Sequence, residues 1–331
     1  MTKTVSGLPS GVGFGGASLG NLRRAITDDQ SRAAVDRAWE RGIRYYDTAP
    51  HYGLGLSERR LGVSLADYPR GEFVISTKVG RLLVPRTTPL AQDDDGFVVP
   101  GDLARMWDFS LAGVRRSLEE SLSRLSLERI DILYLHDPDQ AHPGAAREGL
   151  AALAELKREG LVDAIGIGTN AVDDLAALIG DGLIDVLMLA NRWTLLDHVG
   201  ALPVMGAAAE HGVDVVTAGV FNTGLLATPR PRPDAHFEYG PAGYDLIART
   251  NAIADVCEAH GTDLPTVAIA FGAMAPCVSS VVLGMRSAQD VDGNVDRYQT
   301  AVPQGVWRDL IAAGLVDERA VNNTLVDDWT R

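Results

Sequence analysis

With 331 residues, 46% of them hydrophobic, the chain carries enough apolar material for one large α/β barrel or for two smaller domains. Thirty Lys and Arg against 44 Asp and Glu leave a net charge of −14, which repels nucleic acid and anionic membrane and points to a small-molecule partner. The opening stretch MTKTVSGLPS lacks the apolar segment of a signal peptide, and no apolar run approaches the ~18 residues of a membrane span, so a cytoplasmic monomer or small homo-oligomer is expected. Cys257 and Cys277 share no CxxC spacing and have no histidine cluster nearby, so neither a disulfide nor a metal site is expected.

Eight short runs rich in β-branched residues follow one another: GVGFGG (11–16), IRYYD (43–47), FVISTK (73–78), IDILYLH (130–136), VDAIGIG (162–168), IDVLMLA (184–190), VDVVTAG (213–219) and VSSVVLG (278–284). Amphipathic stretches separate them, several closing on Gly as helix ends do, and Thr27 with Gln30 fits a capping box at the start of the first. Near-continuous apolar strands alternating with helices indicate a parallel sheet covered by helices. Eight such units with no linker between them predict a single (β/α)₈ TIM barrel over 1–331. Segments 81–107 and 222–244 and the tail from about 298 exceed simple connections. The first two follow predicted strands three and seven, which places long loops on the C-terminal face, where barrel enzymes keep their active sites.

Gly11, Gly13 and Gly16 also match G-x-G-x-x-G, with Asp47 where a Rossmann domain puts its ribose carboxylate. That pattern needs a strand before the first glycine and a helix opening on the last. Here TVSGLPS is a poor strand, and the helix signal begins near Thr27. In a barrel the same glycines form strand one and leave room for a flat ring against the backbone, which makes Gly16 and Ala17 candidate cofactor contacts.

Strand two then ends at Asp47, strand three at Lys78 and strand four at His136, with Tyr52 on the loop above Asp47. Singly these read as a cap, a snorkelling amine, a core imidazole and a rim aromatic. Three ionisable groups each ending an apolar strand are costly unless they pair. A phenol near pKa 10 exchanges protons poorly at neutral pH, and a neighbouring ammonium stabilises its phenolate. Lys78 would be that ammonium, Asp47 would hold it, and His136 would bond a substrate oxygen. Such a cluster suits carbonyl/alcohol interconversion by hydride transfer.

In RYYDTAPHYGLGLSERRLG, ISTKVG, DILYLHDPD and VLGMRSAQDVDGN the chain resembles the aldo-keto reductase superfamily over nearly its whole length. The resemblance implies a barrel binding NAD(P) in extended form, with Asp47, Tyr52, Lys78 and His136 as its tetrad and Tyr52 as the acid/base. It also implies that Gly284, Arg286, Ser287 and Asn294 hold the adenine end. Relatives preferring NADP place an arginine where this chain has Asp290, which implies NAD as the favoured cofactor with NADP possible. The sequence departs from the family after strand five, where Gly168, Thr169 and Asn170 replace the usual Ser-Asn; Thr169 and Asn170 are the candidate amide ligands. Ala190 and Ala218 stand for the family's Gln and stacking Tyr, with Trp193 or Phe221 as substitutes for the missing wall. These variants look most like aldose 1-dehydrogenases acting on L-fucose or D-threo-aldoses and like pyridoxal 4-dehydrogenase, which turn a cyclic hemiacetal into a lactone. His51, Trp107 and Trp193 are the candidate walls for a sugar or pyridine ring. A general NADPH aldehyde reductase and a cofactor-sensing binding subunit are the alternatives; the buried lysine argues against the second.

Overall fold

The computed structural model describes residues 7–232, 234–237 and 240–322; residues 1–6 of the opening stretch and the end of the tail lie outside them. The strands are β1 (Gly11–Gly15), β2 (Tyr45–Asp47), β3 (Val74–Val79), β4 (Arg81–Leu90), β5 (Gly101–Trp107), β6 (Ile130–His136), β7 (Val162–Thr169), β8 (Val186–Ala190), β9 (Asp214–Ala218), β10 (His236–Phe237), β11 (Gly240–Pro241) and β12 (Val278–Gly284). The helices are α1 (Asp28–Glu40), α2 (Leu56–Leu65), α3 (Leu111–Leu125), α4 (Ala145–Arg158), α5 (Leu175–Gly180), α6 (Leu202–His211), α7 (Tyr244–Ala259), α8 (Leu264–Gly272), α9 (Ala288–Gln299), α10 (Gln304–Ala312) and α11 (Glu318–Asn322).

All eight β-branched runs become barrel strands. β1, β2, β3, β6, β7, β8, β9 and β12 pair in parallel and close, β12 returning to β1. The fold is a (β/α)₈ barrel. Thr27 caps α1 by accepting from the Gln30 amide at 3.1 Å, and Gln30 Oε1 accepts from the Thr27 amide at 3.1 Å, which closes the capping box.

Strand alternation divides the core in two. Tyr45, Ile132, Tyr134, Met188 and Val216 point into the lumen, while Tyr46, Leu133, Leu135, Leu187 and Val215 pack between strands and helices. The same parity carries Asp47 above Tyr45 and His136 above Tyr134. Ser76 bonds Tyr45 in the lumen while Thr77 faces outward to Glu58 of α2, so Lys78 also faces inward.

Of the three long segments, 81–107 is an ordered antiparallel hairpin, β4 paired to β5. Its tip is tied across the barrel mouth: the Val98 amide donates to Asn21 O at 3.0 Å, Arg23 N to Gly96 O at 2.9 Å, and Leu22 bridges Phe97. The described part of 222–244 holds a short turn and the small β10–β11 pair before α7. The tail from 298 continues α9 and adds α10 and α11. No helix among the described residues is long and apolar enough to cross a membrane.

Candidate active site

Tyr52 is placed by a loop that returns on itself, with Tyr52 N donating to Ala49 O at 3.1 Å and Gly55 N to Pro50 O at 2.8 Å. The loop lies directly on the turn after β1. A Cβ on Gly20 would stand 2.5 Å from the Tyr52 carbonyl carbon, and one on Gly53, whose φ is +64°, 2.2 Å from Gly20 O. Gly20→Ala is therefore expected to displace the Tyr52 loop and lower kcat by ~10-fold or more while the barrel stays folded, because a small misplacement of a reacting group is enough to cost that much. Steady-state kinetics with circular dichroism checks this; a folded variant of unchanged kcat would show that the close approach does not position Tyr52.

The Lys78 ammonium is the hub. It donates to both Asp47 oxygens at 2.9 and 2.7 Å, to Thr48 O at 3.0 Å and to the Tyr52 hydroxyl at 3.1 Å. Asp47 Oδ1 also accepts from Ser76 Oγ at 2.7 Å, and Ser76 lies 3.0 Å from the Tyr45 hydroxyl, itself 3.3 Å from that of Tyr134. Lys78 and Asp47 are each 2% exposed. Burial opposes the charged ammonium, yet Asp47 and Tyr52 hold the Lys78 pKa above its ordinary value. Burial pushes the Asp47 carboxyl upward; with Lys78 on both of its oxygens, the ion pair is the state this geometry holds. For the Tyr52 phenol, burial raises the pKa and Lys78 only partly opposes it, so in the free protein the net shift is upward. The sequence-based expectation of a lowered phenol pKa had the sign of Lys78 right and left out the desolvation.

His136 stands beside this group, its ring perpendicular to that of Tyr52 at 5.8 Å. Burial and then Arg81, Lys78, His51 and Arg105 keep its imidazole well below the ordinary histidine range, so it is neutral. Its Nδ1 is buried without a partner among the described residues. Arg81 and Asp137, near Lys78 and His136 in sequence, form an ion pair at the rim, and burial raises Asp137 to about 6.

Next to His136 around the barrel, the inward positions at the ends of β7, β8 and β9 are small: Gly168, Ala190 and Ala218. A Cβ on Gly168 would come 3.4 Å from Lys78 Cε. A cavity of about 420 Å³ lies nearby over the strand ends, with Asn170, Asn191, Thr223 and the hairpin tip among its walls. The alternation corrects one expectation: Thr169 faces outward, where its hydroxyl donates to Asp139 at 2.6 Å and accepts from the Ala171 amide at 3.0 Å, so Asn170 is the residue left to meet an amide. At Gly16 the side where a Cβ would stand is taken up by Asp47 O at 2.7 Å and Ser57 Oγ at 2.8 Å, which leaves only its backbone to meet a ligand, and Ala17 beside it is half-buried. Trp193 is not a pocket wall: it is 2% exposed and packs on Phe271 of α8 in the outer core. Trp107 is at the rim under the Arg81 guanidinium, 4.5 Å from its ring centre, and His51 lies against Tyr52 and His136.

After β12, Gly284 is exposed and Arg286 reaches the start of α9 with no ion-pair or hydrogen-bond partner for its guanidinium among the described residues. Ser287 Oγ accepts from the Asp290 amide at 3.1 Å and Asp290 Oδ2 from the Arg286 amide at 3.0 Å, while Asn294 is buried one turn further on. A free guanidinium beside a helix N-terminus suits a phosphate.

Sequence reasoning missed Tyr45, Ser76, Thr48, Arg81, Asp137, Arg105, Asp93, Asn191 and Thr223. Ser76 and Tyr45 carried a signal, the period of two from Lys78 and Asp47. The others depend on where the hairpin and loops fold.

The aldo/keto reductase family model matches residues 11–313. A D-threo-aldose 1-dehydrogenase from a Pseudomonas species is 45% identical over 92% of this chain and 94% of its own. A pyridoxal 4-dehydrogenase from Microbacterium luteolum is 33% identical over 92% and 94%, and an L-galactose dehydrogenase from Arabidopsis thaliana 33% identical over 86% and 83%. Among solved structures, a glycerol dehydrogenase from Gluconobacter oxydans superposes with a TM-score of 0.73 over 97% of this chain and 94% of that one at 21% identity, a likeness of fold.

Proposed function

Since the chain belongs to the aldo/keto reductase family, whose members use nicotinamide cofactors, we propose that it is a cytoplasmic NAD-linked dehydrogenase that oxidises the anomeric hydroxyl of L-fucose-like aldoses to a lactone. Residues 1–331 are read as one barrel domain, and the charge of −14 as that of an enzyme for small neutral substrates rather than for nucleic acid or membrane. The observation that carries the reading is Lys78 Nζ bridging the Asp47 carboxylate and the Tyr52 hydroxyl.

In this reading a bound nicotinamide supplies the hydride acceptor. The small strand ends and Asn170 would give room to its ring, and Arg286, Ser287 and Asn294 would hold its far end. Tyr52, as phenolate, takes the proton of the anomeric hydroxyl; Lys78 stabilises the negative oxygen; and His136 bonds the same substrate oxygen. Asp47, Ser76 and Tyr45 act through Lys78, fixing where its charge points. Loss of proton and hydride from one hemiacetal centre leaves a neutral lactone. Pyridoxal closes to a hemiacetal through its neighbouring hydroxymethyl group and fits the same chemistry, a second reading supported by the 33% identical pyridoxal 4-dehydrogenase.

The test is NADH formation from NAD⁺ with L-fucose, L-galactose, D-arabinose and pyridoxal, set against NADPH consumption with simple aldehydes. Turnover of a hemiacetal substrate supports the reading; efficient aldehyde reduction alone replaces it with a general reductase. Cofactor choice is a separate expectation. The Asp290 carboxylate beside Arg286 repels a 2′-phosphate dianion, so kcat/KM is expected to favour NAD⁺ over NADP⁺, with Asp290→Arg narrowing or reversing the gap. A wild-type preference for NADP⁺ would leave Asp290 as a helix cap and nothing more.

A further inference from the structure

We propose that His51 donates a hydrogen bond from Nε2 to a second oxygen of the substrate, and that Arg105 and Asp93 of the hairpin are positioning residues that fix its tautomer. The proposal rests on the hemiacetal reading above and adds what distinguishes a polyhydroxylated ring from a simple aldehyde.

Arg105 Nε lies 2.6 Å from His51 Nδ1. A guanidinium nitrogen carries hydrogen at any working pH and can only donate, so Nδ1 holds a lone pair and the ring proton sits on Nε2. Arg105 grips the backbone as well, donating to His51 O at 3.0 Å. It is aimed by Asp93, whose two oxygens accept from it at 2.6 and 3.0 Å. Both members of this pair are buried: the side chains are 8% and 0% exposed. Losing either member would leave a buried charge unpaired, and with both Asp93 oxygens on two of its nitrogens the Arg105 guanidinium is held in one orientation.

The histidine it holds faces the reaction site. Its ring stands perpendicular to that of His136 at 5.3 Å and lies 5.9 Å from that of Tyr52, with Phe97 of the hairpin tip edge-on at 5.3 Å. Burial, then Arg81, Arg105 and Lys78, push its pKa down to about 2, so the ring stays neutral; Asp95 Oδ2, 4.0 Å from Nδ1, is the facing carboxylate. Among the described residues nothing accepts from Nε2. Because Tyr52 and His136 converge on the reacting oxygen, the third donor of this corner is left for an oxygen on a neighbouring carbon. A site built to bond a hydroxyl discriminates strongly against substrates that lack it.

Three variants and one spectrum test this. His51→Phe is expected to lower kcat/KM for L-fucose by ~10- to 100-fold and for a monofunctional aldehyde by several-fold less, with His51→Gln, which keeps an N–H donor, recovering part of the loss. Long-range ¹H–¹⁵N correlation spectra of the ¹⁵N-histidine-labelled enzyme should show His51 as the neutral Nε2–H tautomer, and Arg105→Lys, folded by circular dichroism, should mix the two tautomers. An Nδ1–H tautomer in the wild type, unchanged tautomers in Arg105→Lys, or equal losses on both substrates for His51→Phe would overturn the proposal. If no hemiacetal is oxidised although the tautomer is as stated, the reading of the function fails and the positioning by Arg105 stands.

Discussion

Replacing Tyr52 by phenylalanine is expected to lower kcat by ~10² to 10⁴, the range for a lost general acid/base, with cofactor affinity little changed. The change removes a single oxygen, and Lys78 loses one acceptor but keeps both Asp47 oxygens and Thr48 O. The fold should therefore survive and the loss should fall on the proton-transfer step. The wild-type pH profile carries the same signature. Burial lifts the Tyr52 phenol above its ordinary value against the pull of Lys78, so the phenolate fraction, and with it the oxidation rate, should climb as pH rises into the alkaline range. In Tyr52→Phe that climb should vanish. A variant retaining more than about a tenth of wild-type kcat, or keeping the alkaline rise, would reject Tyr52 as the group that takes the proton.

Lys78→Met should be more severe, because it removes catalysis and stability together. Without the ammonium, Asp47 is left as a carboxylate in a site 2% exposed with Ser76 as its remaining side-chain donor. Removing one partner of a buried ion pair costs ~3–5 kcal/mol, a loss readable as an earlier midpoint in denaturant. The double variant Lys78→Met with Asp47→Leu separates the two effects. Replacing both charges by apolar groups of similar size is often neutral for stability, so the midpoint should recover while kcat stays at the floor. Recovery of activity together with stability would mean that the pair is structural, and that Tyr52 works without a neighbouring charge.

Much of the fold was open to reading because a parallel barrel writes itself as apolar runs alternating with amphipathic ones, and all eight runs close the barrel. The tetrad was legible for a related reason. Asp47, Lys78 and His136 break apolar strands at their C-terminal ends, where charge without a partner is costly. What could not be read was anything decided by a side chain's orientation or by a loop's path. Trp193 looked like a pocket wall and is core, because the chain leaving β8 turns it onto Phe271. Thr169 looked like an amide ligand and faces outward, since an offset of one residue at a strand end reverses the face. The Arg105 grip on His51 joins residues 54 apart through a hairpin whose strapping to residues 21–23 leaves no mark in local sequence.

The central claim, that the site oxidises a cyclic hemiacetal at its anomeric carbon, is tested most directly by the identity of the first product. The wild-type enzyme mixed with NAD⁺ and L-fucose, L-galactose, D-arabinose or pyridoxal should show by NMR a neutral lactone first, with the open acid appearing later by hydrolysis. An acid formed directly, or no oxidation of any of the four alongside efficient NADPH-dependent reduction of simple aldehydes, would contradict the account.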